Sequence, residues 1–177
     1  TKLGADGSIL RDAQGRSLET YTQADVIMAT KALSGWQNDW KETPKSDSEN
    51  ARVPMKPRSN ADAHDTTQKV LLGKTIPAGQ TIQKDLESVI GILAGHPNTA
   101  PFVVKRLIQS LVSSDPSPEY IARVGYVFVQ SGGHLGKVAK AILMDPEARA
   151  GDDPKNQLPR IGKIKEPILF QMSFLRA

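Results

Sequence analysis

The 177-residue sequence contains no cysteine, and that absence removes three kinds of chemistry at once. It leaves no disulfide framework, no thiolate metal site and no cysteine nucleophile. Aromatic residues are scarce, at 5% of the chain, and hydrophobic residues make up only 38%. So small an apolar fraction implies that part of the chain builds no core. No apolar run reaches the roughly 18 residues that a membrane-spanning helix requires. Charge of one sign is not in excess either, because 23 Lys and Arg are scattered among 19 Asp and Glu for a formal charge of +4. Nucleic-acid binders concentrate their basic residues into a stripe, so this balance argues against a nucleic-acid partner.

The familiar catalytic signatures are missing too. There is no nucleophile elbow, no dinucleotide fingerprint and no HExxH zinc pattern. The triplet Gly73-Lys74-Thr75 looks like the end of a phosphate loop, but the required upstream glycine is replaced by Gln68. No helix follows to supply amide dipoles, so the match is read as chance.

What is present is helix punctuation. Residues 1–20 carry Ala-Asp-Gly and Ala-Gln-Gly turn signals and predict a small hairpin or extended arm. Thr22 and Asp25 form a capping pattern for a helix carrying Val26, Ile27, Ala29 and Leu33, which Gly35 stops. From Lys41 to about Gln68 the chain is polar and broken by prolines, the composition of a long surface loop. KVLLGKTIPAG then predicts a short strand, a turn at Gly73 and a further extended stretch.

Four helices should follow. The first, about 83–94, places Leu86, Val89, Ile90 and Leu93 on one face. The second, about 98–113, carries Phe102, Val103, Leu107, Ile108, Leu111 and Val112. Ser117 caps the third and Pro118 takes its first position, where a missing amide costs nothing. Its apolar residues are Ile121, Val124, Val127 and Phe128, and Ser131-Gly132-Gly133 ends it. The fourth, about 134–144, carries Leu135, Val138, Ile142 and Leu143, and Asp145-Pro146-Glu147 opens another short turn. A linker leads to an apolar C-terminal helix in KEPILFQMSFLRA.

The expected fold class is therefore mainly α. It is an irregular multi-helix bundle with a short β-hairpin or extended arm and long polar loops. Its parts are an arm and helix (1–40), a polar loop and hairpin (41–82), a helical core (83–150) and a linker with a C-terminal helix (151–177).

Few residues stand out as chemistry. His64 beside Asp65 is the minimum needed to tune an imidazole or hold a divalent metal, and His96 is the next available ligand. The plainer reading makes His64 and Asp65 a hydrogen-bonded turn, and has His96 and His134 capping helix starts. Trp36 and Trp40 are binding candidates, two indoles that can form an apolar or sugar-stacking platform or else anchor the loop. Lys105-Arg106 and Asp152-Asp153 read as solvated charges. No cofactor is named by any of these residues.

Four blocks in order resemble a large bacterial family catalogued as domain of unknown function 1800. They are YTQADVIMATKALSGW (21–36), HDTTQKVLLGKTIPAG (64–79), HPNTAPFVVKRLIQSLVSSDPSP (96–118) and the helix pair ending LMDPEAR. The chain departs from the family pattern in its polar insert between Trp40 and His64, and in the two threonines after Asp65. The resemblance implies the C-terminal part of a larger, mostly helical polypeptide, often exported, hence periplasmic or extracellular. It implies no catalytic residues. The expected function is a noncatalytic helical module for binding or assembly at the cell envelope. Its partners would be the remainder of its own polypeptide, an envelope protein or a polysaccharide. The alternative is part of a metal-dependent or acid-base hydrolase whose site a preceding region completes.

Overall fold

The computed structural model describes residues 1–39, 53–152, 162–163 and 167–176. The chain is mainly helical, and it divides into two compact units. One comprises Tyr21–Gly95 and is called here the hairpin unit. The other, the bundle unit, comprises Thr1–Thr20 with His96–Ala177.

In the hairpin unit, α1 (Gln23–Ala32) starts at the expected capping box. Thr22 Oγ1 accepts from the Asp25 amide at 3.3 Å, and Asp25 Oδ2 accepts from the Thr22 amide at 2.8 Å. The helix ends before Gly35, whose φ of +87° only glycine adopts freely. Two short antiparallel ladders follow. Strand β1 (Trp36–Gln37) pairs with β2 (Lys56–Pro57), and β3 (Lys69–Leu71) pairs with β4 (Lys74–Ile76). The β3–β4 turn places both Leu72 (φ 49°) and Gly73 (φ 73°) in the left-handed region, the geometry that fits a twisted two-residue hairpin. Leucine is a strained choice there. Asp25 Oδ1 accepts from the Leu72 amide at 2.7 Å and ties the turn to the start of α1.

Helix α2 (Ile82–Ala94) closes this unit, capped by Thr81. Its buried face is Ile82, Asp85 and Val89, whereas Ile90 and Leu93 of the expected stripe are 57% and 48% exposed. The apolar pattern alone selects the most hydrophobic face. The fold instead turns inward the face that brings a carboxylate to a buried lysine. The apolar core here is small, with Ala32, Leu71, Ile76 and Val89 buried together.

In the bundle unit, residues 1–20 form an arm with two isolated antiparallel bridges, Leu3–Ile9 and Arg11–Ser17. Then come α3 (Thr99–Leu111), α4 (Pro118–Gln130), α5 (Leu135–Met144) and the single turn α6 (Pro146–Arg149). Val104, Ile108, Tyr120, Ile121, Val124, Val138 and Ile142 make its core, the residues that helical spacing turns toward one another. Arg123 grips Asp145 with two bonds of 2.8 and 2.7 Å, joining α4 to the α5–α6 corner. Helix α7 (Pro167–Arg176) has no buried residue.

Candidate functional site

The main concentration of buried charge among the described residues lies in the hairpin unit. Four pieces of chain deliver it. The end of α1 contributes Ser34, and a short 3-10 turn (Ala61–Ala63) presents His64 and Asp65 just after it. Strand β3 contributes Lys69, and the first turn of α2 contributes Asp85.

Lys69 and Asp85 are 1% and 0% exposed. The Lys69 ammonium donates to Asp85 Oδ2 at 2.8 Å, to the Asp65 carbonyl at 2.5 Å and to the Thr67 carbonyl at 2.9 Å. All three of its protons are thus used, and no buried donor on the ammonium is left unpaired.

The His64 ring lies between Ser34 and Asp85. Its Nδ1 is 3.1 Å from the Ser34 carbonyl oxygen. A carbonyl can only accept, so Nδ1 carries a proton. Its Nε2 is 3.2 Å from Asp85 Oδ2, but the angle is not that of a hydrogen bond. Among the described residues, His64 Nε2 and Asp85 Oδ1 are buried atoms with no hydrogen-bond partner. Proximity without alignment makes no hydrogen bond between the two groups.

Ser34, His64 and Asp85 therefore form a row that looks like a hydrolytic triad. The chemistry does not follow. Ser34 Oγ donates to the Lys31 carbonyl at 2.7 Å and accepts from the Asp65 amide at 3.0 Å, so its proton is directed away from the imidazole. Asp85 is neutralised by Lys69 rather than left to polarise a histidine.

Asp65 does not share the histidine's surroundings, although it is adjacent in sequence. Its Oδ1 accepts from the Thr67 amide at 2.9 Å and the Thr67 hydroxyl at 2.5 Å, and Lys31 and Lys69 lie 3.5 and 3.8 Å from its oxygens. The Thr67 hydrogen bonds first, and then the two ammonium groups, hold its carboxyl at about 2 against its neighbours' desolvation.

His96 belongs to the bundle unit. There its Nδ1 accepts from the Asn98 amide at 3.1 Å, while Asn98 Oδ1 accepts from the Leu3 amide at 2.5 Å. His134 caps α5, accepting from the Lys137 amide at 3.4 Å. No group of three His, Asp or Glu among the described residues is placed to hold a metal ion. Trp36 is half-buried in β1, with an indole N–H that finds no partner among the described residues. Trp40 lies outside the described residues, as does Asp153. Asp152 pairs with Arg149 at 2.6 Å. Gly73-Lys74-Thr75 is a hairpin turn running into β4, not a phosphate loop.

Sequence reasoning passed over Lys69, Asp85 and Ser34. A signal was available for two of them. Asp85 sits three residues after Ile82 and four before Val89, a core register on a helix, and Lys69 shares the inward face of β3 with Leu71. A charge at an inward register needs a counter-charge, and each of these two supplies the other's.

The bundle unit holds a second candidate, a cavity of about 530 Å³ between the arm, α3, the start of α4 and α6. Its lining includes Asp6, Lys105, Asp115 and Glu147, together with the buried Ile121 and Pro116. Lys105 is thus a cavity residue, whereas Arg106 lies over the Phe102 ring at 5.8 Å.

Fold and sites together define a mainly helical protein with a clasped charge cluster in one unit and an open polar cavity in the other. The chain belongs to a family whose model, described as protein of unknown function (DUF1800), matches residues 3–177, essentially its whole length. No curated protein and no solved structure matches it.

Proposed function

We propose that this chain is a noncatalytic helical module for binding or assembly at the bacterial cell envelope, in the periplasm or outside the cell. The observation that carries the reading is α7. Ile168, Leu169, Phe170, Met172, Phe174 and Leu175 are each at least 44% exposed, and they lie on all sides of one ten-residue helix. A helix that is apolar all round belongs in a protein interior, and contiguous exposed apolar surface marks an interaction site. No helix among the described residues is long and apolar enough to cross a membrane, so the occupant we assign to α7 is an apolar groove on another polypeptide. The envelope location rests on the family resemblance of the sequence blocks.

The hydrolase alternative retains one supporting observation, the 3.2 Å approach of His64 Nε2 to Asp85. It ranks second because Ser34 and Lys69 engage both ends of that row within the fold.

Sedimentation velocity tests the assembly reading. Deprived of its partner, an exposed apolar helix drives self-association, so the intact chain should associate with rising concentration. The double variant Phe170→Asp, Phe174→Asp should remain monomeric with an unchanged circular dichroism melt of the bundle. An intact chain that stays monomeric at several hundred micromolar would sink the proposal.

A further inference from the structure

The cavity of the bundle unit brings charged groups from separate parts of the chain into one space. At about 530 Å³ it falls within the range of small-molecule sites, roughly 300–1,000 Å³. Gly7 lets the arm form one wall, since its φ is +75° and a Cβ there would lie 3.1 Å from Ile121 Cδ1. The wall is therefore held against a fixed, buried side chain of α4.

Three carboxylates and one ammonium line the space, on four different pieces of chain. Glu147 and Asp6 are both positioned by the fold. Glu147 accepts from the Ser117 amide at 2.9 Å with Oε1 and from the Ser117 hydroxyl with Oε2, which fixes α6 to the cap of α4. Asp6 Oδ1 accepts from the Ser8 amide at 3.0 Å and the Ser8 hydroxyl at 2.6 Å. Those bonds lower the Asp6 pKa and keep it ionised, while its Oδ2 makes no hydrogen bond among the described residues. Lys105 is half-buried and forms no ion pair or hydrogen bond with any described residue, despite the carboxylates in the same cavity.

These groups discriminate by charge. A simple anion would meet three carboxylates. A simple cation would meet a half-buried ammonium that has no counter-ion of its own. A molecule bearing both an ammonium and a carboxylate satisfies Asp6 and Lys105 together. We infer that this cavity binds a zwitterion, an amino acid or short peptide, through Asp6 and Lys105. The inference is independent of the assembly reading, because α7 contributes no residue to the cavity.

Isothermal titration of the intact chain tests it with three probes. They are leucyl-leucine, the carboxylate-free 3-methylbutylamine and the amine-free 4-methylpentanoate. The dipeptide should bind at least tenfold more tightly than either single-charge probe. Lys105→Met should abolish the dipeptide's advantage over the amine, and Asp6→Asn, which keeps the Ser8 bonds, should abolish its advantage over the acid. Both variants change surface-accessible groups, and unchanged thermal melts would show that they fold. Failure of the dipeptide to bind at several millimolar, equal binding of a single-charge probe, or indifference to both substitutions in folded protein would each overturn the inference.

Discussion

Asp85→Asn is the substitution that most directly tests how the hairpin unit is held together. It is nearly isosteric, so it removes charge rather than volume. In the native protein Asp85 and Lys69 are 0% and 1% exposed and 2.8 Å apart. At an effective dielectric of about 20, a pair at that distance attracts by roughly 6 kcal/mol. The asparagine variant keeps a neutral oxygen near Lys69, and the carbonyls of Asp65 and Thr67 still accept two of the ammonium protons. The Asp65 carboxylate, 3.8 Å from the Lys69 ammonium, also remains as a partial counter-ion, so the expected loss is smaller, about 3 kcal/mol, the low end of the usual cost of breaking a buried pair. The unit has little to spare. Among the described residues, Ala32, Leu71, Ile76 and Val89 form its buried apolar cluster, and small domains hold only about 0.1 kcal/mol of stability per residue.

The assay is built into the sequence. Both tryptophans fall within Tyr21–Gly95, and Trp36 is half-buried in β1, so the change in the chain's tryptophan fluorescence during urea unfolding reports this unit. Asp85→Asn should lower the fluorescence-detected midpoint strongly. The double variant Lys69→Met, Asp85→Leu should recover most of the loss, because it removes both charges together. If Asp85→Asn unfolds within about 1 kcal/mol of the parent chain, the pair does not hold the unit together and the reasoning fails.

Two further outcomes follow from single residues. Tyr120 is fully buried and donates to the Ile142 carbonyl at 2.7 Å, and burial, followed by the charges of Asp145 and Glu147, pushes its phenol up to about 12. Because the folded value lies above the free value of about 10, this contribution to stability is complete below pH 10 and is lost as the pH rises through 12. The absorbance at 295 nm, compared with Tyr120→Phe, should show no phenolate from this residue below about pH 11; its appearance by pH 10 would contradict the burial argument. Gly35→Ala forces a side chain onto a backbone at φ +87° and places its Cβ 3.0 Å from the Ala63 carbonyl. It should cost about 1–3 kcal/mol in the tryptophan-detected transition, whereas Gly73→Asn, in open space at φ +73°, should be nearly neutral.

Local rules were readable wherever one residue determines local backbone geometry. Thr22 with Asp25, Ser117 with Pro118, Gly35 and Gly73 each mark a cap, a stop or a turn by short-range chemistry, and each does so in the structure. Long-range pairing was not readable in this way. Strands β1 and β2 are two residues each, with no room for an alternation that a pattern could reveal. The arm's place is likewise invisible in its own sequence, since Gly7 matters only because Ile121 stands opposite. The inward face of α2 was hidden for another reason. Hydropathy ranks Ile90 and Leu93 above Asp85, but it scores each residue alone, and Asp85 is buried only because Lys69 meets it.

That coupling also distinguishes the two polar sites from one another. In the His64 cluster, the ammonium of Lys69, the hydroxyl of Ser34 and the carboxylate of Asp65 are each bonded to another part of the fold. The polar atoms left over, His64 Nε2 and Asp85 Oδ1, are buried and make no hydrogen bond among the described residues. Such an arrangement converts charge into a clasp between α1, the 3-10 turn, β3 and α2. The cavity of the bundle unit has the opposite character. Its Glu147 is spent on Ser117, but Lys105 and one oxygen of Asp6 keep unused bonding capacity in a space open to solvent. Recognition requires unused capacity within reach of a ligand, and catalysis requires it at a reacting atom. By that criterion His64, the most conspicuous residue in the sequence, belongs to the scaffold, and the inconspicuous Lys105 belongs to the site.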